Sequence, residues 1–173
     1  TKEIYDFNSI YDNIREDVSG FDAAVVNQET VLVHDPSMRS DFPVFATPDT
    51  MGDALANAGF DVILSATNHA NDIGDTGTYD TLSFWVKYPD IILLGIHGSE
   101  EEYEDIDYLE KNGFKIALFN YTESLNGRNL PDGEYYRINT LDNIDKLIKD
   151  LETAERKADL SICFLHFGEE YSR

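Results

Sequence analysis

The stretch from Phe60 to Gly74 constrains the fold of this chain more than any other part of the sequence. It begins as an apolar run of strand length, Val62-Ile63-Leu64, and from Asn68 onward it changes abruptly into Asn, His, Asn, Asp and Gly. This pattern predicts a buried strand that delivers polar side chains to one edge of a sheet, where open α/β sheets bind ligands. The same polar residues also suit an ordinary turn, so this stretch alone leaves both interpretations open.

The rest of the chain alternates short apolar runs with amphipathic segments. Strands are predicted at 21–26, 60–65, 91–94, 115–121 and 160–165, and helices at 4–18, 47–58, 76–87 and 141–154. Asn112-Gly113 predicts a hairpin, whereas 31–46, which contains two prolines, predicts a loop. The alternation indicates an α/β fold, with a mainly parallel sheet flanked by helices, in a single domain spanning residues 1–173.

Composition excludes several classes of function. The 173 residues carry a net charge of −21, which repels nucleic acid and anionic lipid surfaces. No apolar run reaches the roughly 18 residues of a membrane-spanning helix, so we expect no membrane span in this chain. The single cysteine, Cys163, cannot form an internal disulfide, and its apolar neighbours predict a buried strand position.

Polar residues follow several predicted strands at the point where each strand ends. They are Asn27 and Glu29, then Asn68, His69 and Asp72, then His166 and Glu170. In a parallel sheet these clusters converge at one edge, and a mixture of carboxylate, amide and imidazole groups suits Zn²⁺, Mn²⁺ or Fe better than Ca²⁺. His97 also follows a strand and is a further candidate for the same edge.

Five segments of the sequence resemble the CapA family of bacterial capsule proteins linked to poly-γ-glutamate. The segments are Asn27-Gln28-Glu29-Thr30, Ala58-Gly59-Phe60-Asp61-Val62, Asn68-His69-x-x-Asp72-x-Gly74, Asp80-Thr81-Leu82 and His166-Phe167-Gly168-Glu169-Glu170-Tyr171. They occur in the family's order from about Phe21 to Tyr171. The resemblance implies a metallophosphoesterase-like α-β-β-α sandwich, of which this chain holds a part.

The resemblance also implies roles for individual residues. Glu29, Asn68 and His166 would be metal ligands, and His69 would act beside a divalent metal such as Mn, Zn or Fe. Asp72 and Glu170 would support these ligands, although for Asp72 simple capping of its loop is an alternative. Asn27 and His97 are candidates to line the site because of their positions after strands, not because of the resemblance. The implied function is capsule biosynthesis at the bacterial cell surface. A metal-dependent phosphoesterase unrelated to capsule and a non-catalytic binding or scaffolding module remain alternatives.

Two family features are missing from this sequence. No strand ending in Gly-Asp precedes the first predicted helix, and the chain stops at Arg173 before a Gly-x-His-x-His segment. We therefore expect a fragment, incomplete at both ends, that binds metal weakly or not at all. The resemblance implies membrane-bound polymer synthase and exporter components as partners, while the unpaired sheet edges of a fragment favour self-association.

Overall fold

The computed structural model describes residues 5–168. The strands are β1 (Val25–Asn27), β2 (Val31–Val33), β3 (Ala46–Pro48), β4 (Val62–Leu64), β5 (Ile92–Leu94), β6 (Asp107–Lys111), β7 (Phe114–Thr122) and β8 (Leu160–His166). The α-helices are α1 (Arg15–Ser19), α2 (Thr50–Ala58), α3 (Asp75–Trp85), α4 (Glu100–Glu104) and α5 (Ile144–Lys157). Short 3₁₀ turns cover Asn8–Tyr11, Pro36–Met38 and Leu141–Asn143.

Two three-stranded sheets form the centre of the molecule. The first has the order β1-β4-β5 with all strands parallel, and the second has the order β6-β7-β8. In the second sheet, β6 and β7 form the antiparallel hairpin, while β7 and β8 run parallel. The strands β2 and β3 form a separate parallel pair. The prediction of mostly parallel sheets is confirmed.

Side chains on the central strands alternate between two apolar layers, as strand geometry requires. On β4, Val62 and Leu64 belong to the cluster shared with the second sheet, whereas Ile63 belongs to the cluster with Leu55 of α2 and Phe84 of α3. On β7 the same alternation divides the residues between two clusters. Leu118 faces the first sheet, while Ala117, Phe119 and Tyr121 lie in the cluster of α5. The order of layers is therefore helix, sheet, sheet, helix.

The side chain of Asn120 joins the two sheets and is 2% exposed. Asn120 lies on β7, and its Oδ1 accepts a hydrogen bond of 2.7 Å from the backbone N–H of Ala66, just beyond β4. Its Nδ2 donates to the carbonyl of Phe164 on β8 at 3.3 Å. Gly95 leaves room for this contact, because a Cβ there would lie 2.6 Å from Asn120 Oδ1. We call this contact the inter-sheet joint.

The structure differs from the sequence predictions mainly before residue 50. The predicted helix over 4–18 is broken into the turn at Asn8–Tyr11 and α1. The polar side chains between them, such as Asp12 and Asn13, can compete with helical backbone hydrogen bonds. The predicted loop at 31–46 contains β2 and ends in β3, where Pro48 closes an edge strand and α2 starts only at Thr50.

After residue 50 the predicted helix ends and turns agree with the structure, but three predictions of burial were wrong. Asn112 and Gly113 form the predicted hairpin turn with positive φ, and Gly59 ends α2 with a φ of 98°. The helical spacing of the apolar residues between 76 and 87 predicts that Tyr79 and Val86 are buried, but in the structure they are 45% and 78% exposed. Cys163 is also exposed, because β8 lies at the edge of its sheet.

The helices of the described residues are all too short or too polar to cross a membrane. The assignment of residues 1–173 to one domain remains a prediction.

Candidate functional site

The carboxyl ends of the parallel strands meet at one edge, as the sequence predicted. Asn27 at the end of β1 is in register with Leu64 at the end of β4, and Thr122 of β7 is in register with His166 of β8. The polar residues that follow these strands therefore emerge on the same side of both sheets.

A pocket of about 340 Å³ lies at this edge. Its walls are formed by Glu29, Asn68, Thr122, Glu123, Ser124, Asn126, His166, Phe167 and Gly168. The three side chains predicted as metal ligands are thus brought together, although the last, His166, lies 137 positions after the first, Glu29, in the sequence. We call this cavity the strand-end pocket.

Asn68 and His166 are in direct contact within the strand-end pocket. Asn68 Oδ1 lies 3.0 Å from His166 Nε2, and Asn68 Nδ2 donates to Asn126 Oδ1 at 3.3 Å. These two contacts fix the orientation of the amide, with its oxygen towards the imidazole. The carbonyl of Glu29 accepts a hydrogen bond of 2.6 Å from Thr67 Oγ1, which ties the segment after β1 to the segment after β4.

His69 is held by a buried carboxylate. Its Nδ1 lies 2.6 Å from Asp72 Oδ2, and the Asp72 side chain is 1% exposed. The same oxygen accepts a hydrogen bond of 2.7 Å from the backbone N–H of Phe45, whose ring also packs edge-on against the imidazole. Because the carboxylate accepts, the neutral imidazole carries its proton on Nδ1 and leaves Nε2 as a proton acceptor.

Several residues of the pocket wall were not predicted as site residues, and for two of them, Glu123 and Asn126, the sequence contains a signal. Glu123 directly follows β7 and its Oε2 accepts a hydrogen bond from the N–H of Gly168 at 3.2 Å. The strand-end rule that identified Asn68 applies equally to it. Asn126 lies in an Asn-Gly turn, with φ of 53° followed by 73° at Gly127, which is the same pattern that identified the hairpin.

Three predicted residues are placed elsewhere or cannot be placed. Asn27 is exposed at the end of β1 and is not part of the pocket wall. His97 is 8% exposed and lies away from the pocket, where its Nε2 contacts Asn139 Oδ1 at 3.1 Å and its ring packs on Tyr103. Burial lowers the pKa of His97 to about 4. Glu170 lies outside the described residues.

The donor set of the strand-end pocket fits a divalent cation only in part. Within residues 5–168, no group of three or more His, Cys, Asp and Glu side chains is arranged to hold a metal ion. The pocket instead offers the carboxylate of Glu29, the amide oxygen of Asn68 and the imidazole of His166. A mixed oxygen and nitrogen set of this kind suits Mn²⁺, Zn²⁺ or Fe, and three donors leave positions for further ligands.

Comparison with known proteins identifies the family. The model of the family "Bacterial capsule synthesis protein PGA_cap" matches residues 1–173. The chain belongs to this family. The PGA_cap relatives include a protein of Bacillus anthracis named "Capsule biosynthesis protein CapA", which is 30% identical over 122 residues. That match covers 68% of this chain and 29% of the relative.

A second PGA_cap relative gives a similar result. The Bacillus subtilis (strain 168) protein named "PGA biosynthesis protein CapA" is 31% identical over 122 residues, covering 68% of this chain and 30% of the relative. The matched part spans less than a third of the length of these two relatives. The resemblance of the sequence to the CapA family is therefore confirmed.

Proposed function

We propose that this chain is part of a bacterial cell-surface protein of poly-γ-glutamate capsule biosynthesis, and that the strand-end pocket is its functional site. Membership of the PGA_cap family and the names of both relatives support the capsule assignment. One observation carries the assignment of the site. Asn68 and His166, 98 residues apart in the sequence, are 3.0 Å apart in a pocket that Glu29 also lines.

The residues suited to a divalent cation are Glu29, Asn68 and His166. When bound, such a cation would supply Lewis acidity and lower the pKa of a coordinated water. His166 would bind it through the Nε2 lone pair, so its contact with Asn68 would no longer be a hydrogen bond in that state. With three donors from this chain, we expect the described residues alone to bind the cation weakly.

His69 would transfer a proton beside the cation. Asp72 holds the Nδ1 proton, which directs the basic Nε2 away from the buried carboxylate. The contacts of Asp72 with Phe45 and His69 support a positioning role for this residue over simple capping of its loop. This residue set supports hydrolysis of an ester of an oxyacid. Water would attack the central atom of the oxyacid, and His69, in the form that carries protons on both ring nitrogens, would give its Nε2 proton to the leaving oxygen as the ester bond breaks.

The proposed setting is the outer surface of a bacterial cell. Membrane-bound synthase and exporter components of the polymer are the partners we propose, because a surface polymer must be made and moved across the membrane. The net charge of −21 suits neither nucleic acid nor an anionic membrane surface as a partner.

Metal content of the full-length protein tests the proposed site. We expect a stoichiometric transition metal in the wild type and its loss in Glu29→Gln and His166→Ala. Glu155→Gln on the exposed side of α5 is the matched control, since it removes the same charge far from the pocket. Wild-type protein without metal, after purification in Mn²⁺ and Zn²⁺, would contradict the proposed cation.

Turnover of an aryl phosphate in Mn²⁺ tests the role of the His69–Asp72 pair. We expect His69→Ala to lower kcat by about a hundredfold or more, and Asp72→Asn to lower kcat with little change in KM. Deletion of the gene, complemented by each variant, links the result to surface polymer. Full capsule production by His69→Ala would argue for the scaffolding alternative.

A further inference from the structure

Arg128 carries a positive charge and contacts Asp72, the carboxylate that holds His69. Its Nε lies 3.6 Å from Asp72 Oδ1, and its side chain is 39% exposed. In the part of the chain that the structure describes, the guanidinium makes no other ion pair or hydrogen bond. Its two terminal nitrogens are therefore free to bind a ligand.

The segment that carries Arg128 is held in place on both sides. Leu125 is 8% exposed and packs in the apolar cluster with Ala66 and Ile138, and its carbonyl accepts a hydrogen bond from the N–H of Arg128. After Arg128, the carbonyl of Asn129 accepts a hydrogen bond of 3.2 Å from Asn71, which is buried. A guanidinium presented by an anchored segment loses little freedom when a ligand binds.

The contact with Asp72 alone does not account for Arg128. Charge-assisted hydrogen bonds are about 2.7–2.9 Å long, so the 3.6 Å separation is loose. Asp72 Oδ2 already accepts from Phe45 and His69, which hold the carboxylate without help from the arginine. The remaining capacity of the guanidinium is a planar pair of donors, which matches a carboxylate or a phosphoryl group.

The charges around the site explain why a positively charged side chain such as Arg128 would be needed there. The protein has 13 Lys and Arg residues against 34 Asp and Glu, and Glu29 and Glu123 both line the strand-end pocket. An anionic substrate approaching this edge is repelled unless a local positive charge compensates. Arg128 lines a second cavity of about 410 Å³, while Asn126 of the same turn lines the strand-end pocket. Asp72 contacts both His69 and Arg128, which places this charge next to the proposed proton donor.

We infer that Arg128 is the substrate-binding residue for the oxyanion of the molecule that this site acts on. The inference rests on the proposed function, because it takes the strand-end pocket as the reacting centre. The oxyanion is a carboxylate of a γ-glutamyl chain or a phosphoryl group, and both present the same paired oxygens to a guanidinium.

Calorimetric titration of the full-length protein tests this role, with inorganic phosphate and with a γ-linked glutamyl oligomer as separate probes. We expect Arg128→Gln to weaken binding of at least one probe by about tenfold or more. The probe that responds identifies the source of the oxyanion. Arg39→Gln is the matched control, because Arg39 is exposed and its guanidinium lies over the ring of Tyr5.

Arg128→Lys distinguishes binding of the oxyanion by the guanidinium from a role in which Arg128 only neutralises the charge of Asp72. It keeps the positive charge, so we expect wild-type thermal stability but several-fold weaker binding of the probe. Equal binding by Arg128→Gln and Arg39→Gln would overturn the inference while leaving the metal and turnover tests of the proposed function unaffected. A folded wild type that binds neither probe would overturn it as well. Arg128-dependent binding by protein without metal would keep the inference and remove the proposed cation.

Discussion

Replacement of Asn120 tests the inter-sheet joint, on which the position of Asn68 relative to His166 depends. In Asn120→Ala the backbone N–H of Ala66 loses its 2.7 Å acceptor in a fully buried setting. A buried donor without a partner costs about 1–3 kcal/mol, and the cavity left by the side chain adds to this. We therefore expect the free energy of unfolding to fall by about 2–4 kcal/mol.

Urea unfolding followed by tryptophan fluorescence measures this loss, since Trp85 is 4% exposed in the core. With a slope of about 2 kcal/mol per molar, the midpoint should fall by roughly 1–2 M urea. Asn57→Ala, on the exposed side of α2, is the control and should shift the midpoint by a few tenths of a molar at most. If both variants unfold at the same urea concentration, the joint does not hold the sheets together and the reasoning is refuted.

Three further predictions concern pH, thiol reactivity and association. Burial lowers the pKa of His97 from 6.5 to about 4, so the unfolded chain binds a proton at this residue before the folded chain does. The free energy of unfolding is therefore unaffected by protonation of His97 above pH 6.5 and falls as the pH drops towards 4, by up to about 3 kcal/mol more in the wild type than in His97→Gln. Urea midpoints that change in parallel with pH in the two proteins would contradict this. Cys163 is exposed and should react with a thiol reagent in the native state. The reaction should be slower than with a free thiol, because partial desolvation of the sulfur raises the pKa of Cys163; protection until unfolding would contradict its exposed position. The open edge of β8, with Leu165 44% exposed, should make the isolated chain associate as its concentration rises, and Leu165→Lys should reduce the apparent mass in sedimentation.

Much of the architecture could be predicted because its signals are local. Gly59 and Asn112-Gly113 identify a helix end and a hairpin by backbone conformations that few other residues adopt. The run Val62–Leu64 is apolar on both faces because both faces are covered, which only a layered fold provides. The pair β2 and β3 was missed because each strand has three residues, too few to show a period.

Part of the candidate site could be predicted from the topology of the sheets rather than from local backbone signals. The rule that polar residues after parallel strands converge identified Glu29, Asn68 and His166, but it does not specify how far each side chain reaches. Asn27 and His97 satisfy the same rule and lie elsewhere, since the first is exposed and the second is covered by Tyr103. Arg128 follows no strand, and only the tertiary contact with Asp72 shows its position.

The strand-end pocket takes its walls from both sheets, since Asn68 follows β4 and His166 ends β8. The apolar layer between the sheets holds the two halves of the pocket together, so a molecule that contacts both halves binds the folded chain and not the unfolded one. Binding in the strand-end pocket would therefore report that the chain has folded. Any molecule that binds both halves would raise the free energy of unfolding in proportion to the logarithm of its concentration.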